Sequence, residues 1–164
     1  LKTVNTLGKR SGWRCTILPV NNEGLVSPKQ LTDAIDDETS IVSVMYANNE
    51  IGTIQPIREL AGITHEHGAL FHTDAVQAAG KIPIDVKSLN TDLLSISGHK
   101  FNGPKGVTDP GVMFKYSLRA ASLAKDRLPS TSDLLSFFIS TVWFSSQENK
   151  KYSFFLFFKK RFFV

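Results

Sequence analysis

Three short, largely apolar runs, each ending abruptly in a polar cluster, constrain this chain more than any other feature. SIVSVMYA (residues 40–47) runs into Asn48, Asn49 and Glu50. ALF (residues 69–71) runs into His72, Thr73, Asp74 and Gln77, and DLLSIS (residues 92–97) runs into Gly98, His99 and Lys100. Runs of this length, apolar on both faces, are expected of strands buried inside a parallel sheet. Helix signals lie between them. Pro56 opens a segment whose Ile57, Leu60, Ala61 and Thr64 share one helical face, and Gly68 is placed to cap its end. Upstream, CTILPV (residues 15–20) reads as a strand closed by the turn Asn21-Asn22-Glu23-Gly24. Ser27 and Pro28 then supply an N-cap and a first helical position for a helix through about Ile35. Strands alternating with helices at this spacing predict βαβ units with right-handed crossovers. The fold class is α/β, a mostly parallel sheet with flanking helices, and the sequence shows no internal repeat.

In an open parallel sheet the carboxyl ends of the strands share one edge, and ligands bind in the crevice there. Asn49, Asp74, Gln77, His99 and Lys100 are therefore expected to converge although they are far apart in the chain. A lysine and an aspartate in an apolar-walled crevice suit a Schiff-base lysine holding pyridoxal phosphate, with the carboxylate facing the pyridinium nitrogen. The carboxylate keeps that nitrogen protonated, and a desolvated lysine is neutral often enough to react and to move protons. Asp74 and Lys100 are 26 residues apart, a spacing that a plain structural ion pair would also produce.

Three longer stretches narrow the choice. VSVMYANNEIGTIQPI, FHTDAVQAAGKIPIDV and DLLSISGHKFNGPKGV resemble, in order and spacing, the cysteine desulfurases of the class V aminotransferase family, the NifS/IscS-like enzymes with the fold-type-I pyridoxal phosphate architecture. The likeness runs from about Gly12 to Val107, roughly the middle of a family large domain. It implies that Lys100 is the catalytic lysine that carries pyridoxal 5'-phosphate, that Asp74 pairs with the pyridinium nitrogen, and that Gln77 hydrogen-bonds the phenolic oxygen. Asn49 matches the residue near that oxygen and the substrate, and Ser97 and His99 match residues that hold the cofactor phosphate. The implied activity converts L-cysteine to L-alanine and passes the sulfur to a protein persulfide, for iron-sulfur cluster or thio-cofactor assembly. Implied partners are a second copy of the complete enzyme and a sulfur-acceptor or iron-sulfur scaffold protein. The implied compartment is cytoplasm, mitochondrion or plastid. Selenocysteine lyase shares these motifs, although NNEIG and SGHKFNGPKG are closer to the desulfurase group.

The thiol chemistry is where the sequence departs from this pattern. A persulfide-forming cysteine must be exposed and of low pKa. The single cysteine, Cys15, precedes the motifs inside a predicted strand, where a buried inert thiol is expected. The family cysteine lies well downstream of the lysine motif, and no residue here matches it, nor the family's upstream phosphate loop, ring-stacking histidine or downstream carboxylate-binding arginine. One cysteine also excludes an internal disulfide, and no residues are spaced as a Cys/His zinc site. His65 and His67 would not face each other on a helix and read as a solvated helix end. His72 reads as a strand-end residue, Trp13 as a core or surface aromatic, and Gly103, Lys105 and Gly106 as a turn or an anion-contacting loop.

Composition divides the chain in two. Residues 1–108 carry ten Lys+Arg against eleven Asp+Glu, whereas residues 109–164 carry nine against four, giving −1 and +5 and together the overall +4. Nine of the twelve phenylalanines follow Ser136. The net positive charge thus belongs to the tail and says nothing about partners of the α/β region. The expected organisation is a partial transferase large domain over residues 1–107 and a divergent basic, Phe-rich tail, poorly ordered, over residues 108–164. Within the tail, residues 111–114 could resume a strand, and the Phe, Lys and Ser runs have no period. No apolar run reaches the roughly 20 residues of a membrane helix, and neither nucleic acid nor membrane is expected as a partner. Two readings of function remain at this point: a truncated desulfurase whose cofactor pocket is partly encoded, and a non-catalytic scaffold that acts by pairing with another chain.

Overall fold

The computed structural model describes residues 13–103, 112–114 and 155–160. The first strand, β1, is Trp13–Thr16. It begins two residues before the expected start and stops short of Pro19, which has no N–H to give a ladder. Val20 and Val26 then pair as an isolated bridge across the Asn21–Leu25 turn. Helix α1, Pro28–Ala34, starts as the sequence predicts: the Ser27 side chain accepts from Gln30 N–H, and Pro28 occupies the first turn. Strand β2 is Thr39–Met45, helix α2 is Ile57–Glu66, and strand β3 is Leu70–Asp74. The four residues expected on one face of α2, Ile57, Leu60, Ala61 and Thr64, are its buried residues. Gly68 follows with φ +68° and donates to His65 O, closing the helix end.

Strand β4, Leu93–Ser95, is followed by a single 3-10 turn, Gly98–Lys100. Two more strands, β5 at Val112–Phe114 and β6 at Phe155–Lys160, fall within the region set apart by composition. Other expectations for the tail lie outside the described residues. The six strands form one sheet in the order β1-β6-β2-β3-β4-β5. Its centre, β2-β3-β4, is parallel, with Met45, Asp74 and Ser95 in register at the carboxyl ends. The borders are antiparallel: β5 runs against β4, and β6 lies between β1 and β2, antiparallel to both. The parallel arrangement is therefore confined to the middle of a mixed sheet.

The β3–β4 crossover also differs from expectation, because turns rather than an α-helix fill it. Gly80, at φ +76°, and Pro83 prevent a continuous helix there. Ile82, Ile84, Val86 and Leu89 nevertheless pack on the core from this segment. That core joins Leu31 of α1 and the C-cap residue Ile35 behind it, Ile57, Leu60 and Ala61 of α2, and Val42, Val44, Phe71 and Leu94 of the sheet. Leu31, Leu60 and Phe71 are fully buried, each worth about 1.5–3 kcal/mol of transfer free energy. Because side chains alternate along a strand, Ser43, His72, Asp74 and Ser95 project from the face opposite the helices.

Candidate functional site

The ladder that binds the three parallel strands also sets their polar ends side by side. Tyr46 N–H donates to Asp74 O at 2.8 Å, and Ala75 N–H donates to Ser95 O at 2.8 Å. Asp74 thus stands at the end of the middle strand with neighbours on both sides. Its Oδ1 accepts from Val76 N–H at 3.0 Å, and among the described residues no cation pairs with it. Burial raises the carboxyl pKa above its ordinary value, partly offset by that backbone hydrogen bond. With its second oxygen uncommitted among the described residues, this desolvated carboxyl is an acceptor suited to a positive partner.

The other residues reach the same edge by different local devices. Asn48 builds the loop after β2: its Oδ1 accepts from Glu50 N–H at 2.8 Å and Ile51 N–H at 3.3 Å, an Asx turn. The chain then returns through Gln55 N–H to Tyr46 O, leaving Asn49 exposed at the tip. Gln55 is buried and ties this loop to the first turn, accepting from Val26 N–H at 3.0 Å and donating to Gly24 O at 2.6 Å. Gln77 lies partly buried in the turn after β3, and its Oε1 accepts from Lys81 Nζ at 3.3 Å, which leaves its amide nitrogen to donate elsewhere. After β4, buried Ser97 shares a 2.8 Å hydrogen bond between its hydroxyl and His99 Nδ1. Lys100 is exposed, is held in the 3-10 turn by its N–H to Ser97 O, and its amine meets no partner among the described residues.

Two glycines keep these loops together. A Cβ on Gly80 would come within 2.6 Å of Phe101 Cβ, and one on Gly103 within 2.8 Å of Gly98 O. The turn bearing Gln77 therefore packs directly against the turn bearing Lys100. Gly103 closes that turn by donating to Gly98 O at 2.8 Å, while Lys105 and Gly106 lie outside the described residues. Asp74 is the last residue of β3, and Asn49, Gln77, His99 and Lys100 lie in the segments that follow the strand ends; among the described residues no hydrogen bond joins any two of the five.

Three sequence expectations need correction. His72 is no strand-end residue but a fully buried one in the body of β3, hydrogen-bonded through Nδ1 to Ser43 at 2.7 Å and through Nε2 to Ser95 at 2.9 Å. Burial pushes its pKa down to about 3, so the ring is neutral. His65 is not solvated: its Nε2 meets Asp92 Oδ2 at 2.7 Å, both side chains being buried, and Asp92 also accepts from Phe71 N–H. Cys15 does lie in β1 but is only partly buried. No group of three or more His, Cys, Asp or Glu residues suited to a metal occurs among the described residues.

Comparison with known proteins now bears on the site. The Aminotransferase class-V family model matches residues 1–115, a span that takes in all three strand-end clusters and β5. The chain belongs to the class-V aminotransferase family. Among its relatives, the cysteine desulfurase IscS of Methanosarcina thermophila is 61% identical over 95 residues, covering 58% of this chain and 24% of that protein. The IscS of Clostridium botulinum (strain Kyoto / Type A2) is 48% identical over 129 residues, covering 76% of this chain and 32% of that one. A solved structure of SspA in complex with cysteine superposes with a TM-score of 0.53 at 45% identity, over 56% of this chain and 26% of that chain. This class-V chain thus spans about a quarter to a third of the length of these relatives. Among its described residues, no helix is long and apolar enough to cross a membrane.

Proposed function

We propose that this chain carries the cofactor-holding part of a pyridoxal phosphate-dependent cysteine desulfurase. The carrying observation is Asp74: a desolvated carboxyl whose second oxygen is open among the described residues, fixed by the ladder at the edge that the turn bearing Lys100 also borders. The donor set around it fits the cofactor. Among the described residues, Asp74 offers an acceptor for a protonated ring nitrogen, Gln77 an uncommitted amide N–H for the phenolic oxygen, and Lys100 an unpaired amine for covalent attachment. Ser97 and His99 supply donors for phosphate, and Asn49 stands over the same edge for the cofactor oxygen and the substrate.

When bound, pyridoxal phosphate would supply an electron sink for negative charge developing at the substrate Cα. The protein residues orient and protonate around it. A positive ring nitrogen beside Asp74 would draw the carboxyl pKa back down, so that pair holds one proton between them. With cofactor and L-cysteine bound, Lys100 would be the group to take the Cα proton and return it. Cys15 is not placed to accept the sulfur: three strand steps of about 4.8 Å separate β1 from β3, roughly 14 Å in all. The thiol that takes the sulfur, the second copy of the enzyme and the sulfur-acceptor protein are thus sought outside these residues, in the cytoplasm or an organelle.

The test is to add pyridoxal phosphate to the purified full chain and follow its visible absorbance. A yellow complex that Lys100→Ala abolishes supports the reading. Soluble, folded protein that stays colourless would overturn it and leave the non-catalytic scaffold in its place.

A further inference from the structure

His72 is a fully buried titratable side chain that the proposed chemistry does not use. Both ring nitrogens are engaged, and the two serines come from different strands: Ser43 from β2, directly beside His72 in register, and Ser95 from β4, in register with Asp74. The bridge therefore crosses all three parallel strands on the face that Asp74 shares, two residues below it. Ser43, His72 and Ser95 are 6%, 0% and 1% exposed, so water does not compete for these bonds. One ring nitrogen donates and the other accepts, which commits both serine hydroxyls and fixes the ring plane. The bridge adds to the ladder pairing of β3 with β2 and β4, to the Thr73 hydroxyl donating to Val44 O at 3.0 Å, and to the Tyr46 and Ala75 N–H bonds at the strand end.

We infer that His72, clamped between Ser43 and Ser95, is a positioning residue that fixes the ends of β2, β3 and β4 so that Asp74 is held in place for the ring nitrogen of the cofactor. The inference rests on the cofactor reading for its purpose but on the three-strand bridge for its substance. Simple core packing would need a side chain of this size and no hydrogen bonds. A positioning bridge needs the two bonds, and its loss is felt at the strand ends before it is felt elsewhere.

The experiment uses the full chain and two variants, His72→Phe, which keeps bulk and loses both bonds, and His72→Gln, which keeps an amide able to bond. In cofactor-free protein, His72→Phe is expected to speed amide exchange at Tyr46 and Ala75 at least tenfold, with much less change at Leu60 in α2. Carbon NMR of the Asp74 carboxyl is expected to show its titration moving toward the ordinary carboxylate range as water reaches it. His72→Gln should restore part of both. Equal exchange at Tyr46 and Ala75 in all three proteins, or a uniform rise across the sheet, would overturn the inference. With pyridoxal phosphate present, His72→Phe should bind about tenfold more weakly than wild type, with partial recovery in His72→Gln. Wild type and His72→Phe binding equally, with the same spectrum, would sink the inference and leave the cofactor reading standing. Wild type that never colours, yet shows the exchange pattern, would sink the cofactor reading and leave the bridge. Should His72→Phe fail to fold, Ser95→Ala removes one arm at little change of volume and is read by the same exchange measurement, with the same outcomes.

Discussion

Asp74 and His72 sit two residues apart on one face, and burial acts on them in opposite senses. For Asp74, whose pKa is raised in the folded chain, burial favours the protonated form, so folding is opposed once the carboxyl ionises. Asp74→Asn is expected to raise the thermal midpoint of the cofactor-free chain at neutral pH while abolishing the yellow complex, both read on one sample by calorimetry and absorbance. His72 is neutral in the folded state down to about pH 3, against an ordinary value of 6.5. Below 6.5 the unfolded chain takes up a proton that the folded chain refuses. Stability from this source is therefore intact above pH 6.5 and falls by up to about 1.4 kcal/mol per pH unit toward pH 3. Denaturant titrations from pH 7 to 4 should show that slope in wild type, reduced in His72→Gln by the share His72 contributes. An unchanged slope would mean that His72 is protonated in the folded protein.

At the scale of elements, the two helices cover one face of the sheet and the loops at the strand ends build the site on its edge. Leu60 is fully buried between α2 and the sheet, and Leu60→Ala is expected to cost 2–5 kcal/mol in denaturant unfolding. Gly80→Ala should act more locally. It adds a Cβ 2.6 Å from Phe101 Cβ at a φ of +76°, so it should push the Gln77 turn away from the Lys100 turn and weaken cofactor binding, with a smaller effect on unfolding. The helix faces were legible in the sequence because Ile57, Leu60, Ala61 and Thr64 repeat with the helical period. The three strand ends were legible because apolar runs stop at polar clusters. His72 was not: a histidine after an apolar run reads as the run's end, and its partners lie 29 and 23 residues away on other strands. The same holds for His65, whose partner Asp92 is 27 residues on. The missing helix between β3 and β4 was signalled by Gly80 and Pro83, which count for more there than the overall alternation of the chain.

At the scale of the molecule, the sheet is completed by a strand that composition set apart. β6 pairs with β1 on one side and β2 on the other, yet it lies beyond residues 1–115, where the family match ends. No local pattern foretells such a pairing, because Phe157 and Val42 are 115 residues apart and only the assembled sheet brings them together. Removing residues 155–164 would leave the edges of β1 and β2 without their shared neighbour. Amide exchange at Ile41 and Val42 is expected to rise at least tenfold in that truncation, and unchanged exchange would show that β2 does not depend on it. The parallel centre, by contrast, is covered by the family match and carries the whole candidate site.

The most direct test of the central claim is to add pyridoxal phosphate to the full chain, reduce with borohydride, and map the labelled peptide by mass spectrometry. Label on Lys100 alone, lost in Lys100→Ala and greatly diminished in Asp74→Asn, is the expected result. Label spread over exposed lysines such as Lys29, Lys81 and Lys87, unaffected by either substitution, would contradict it.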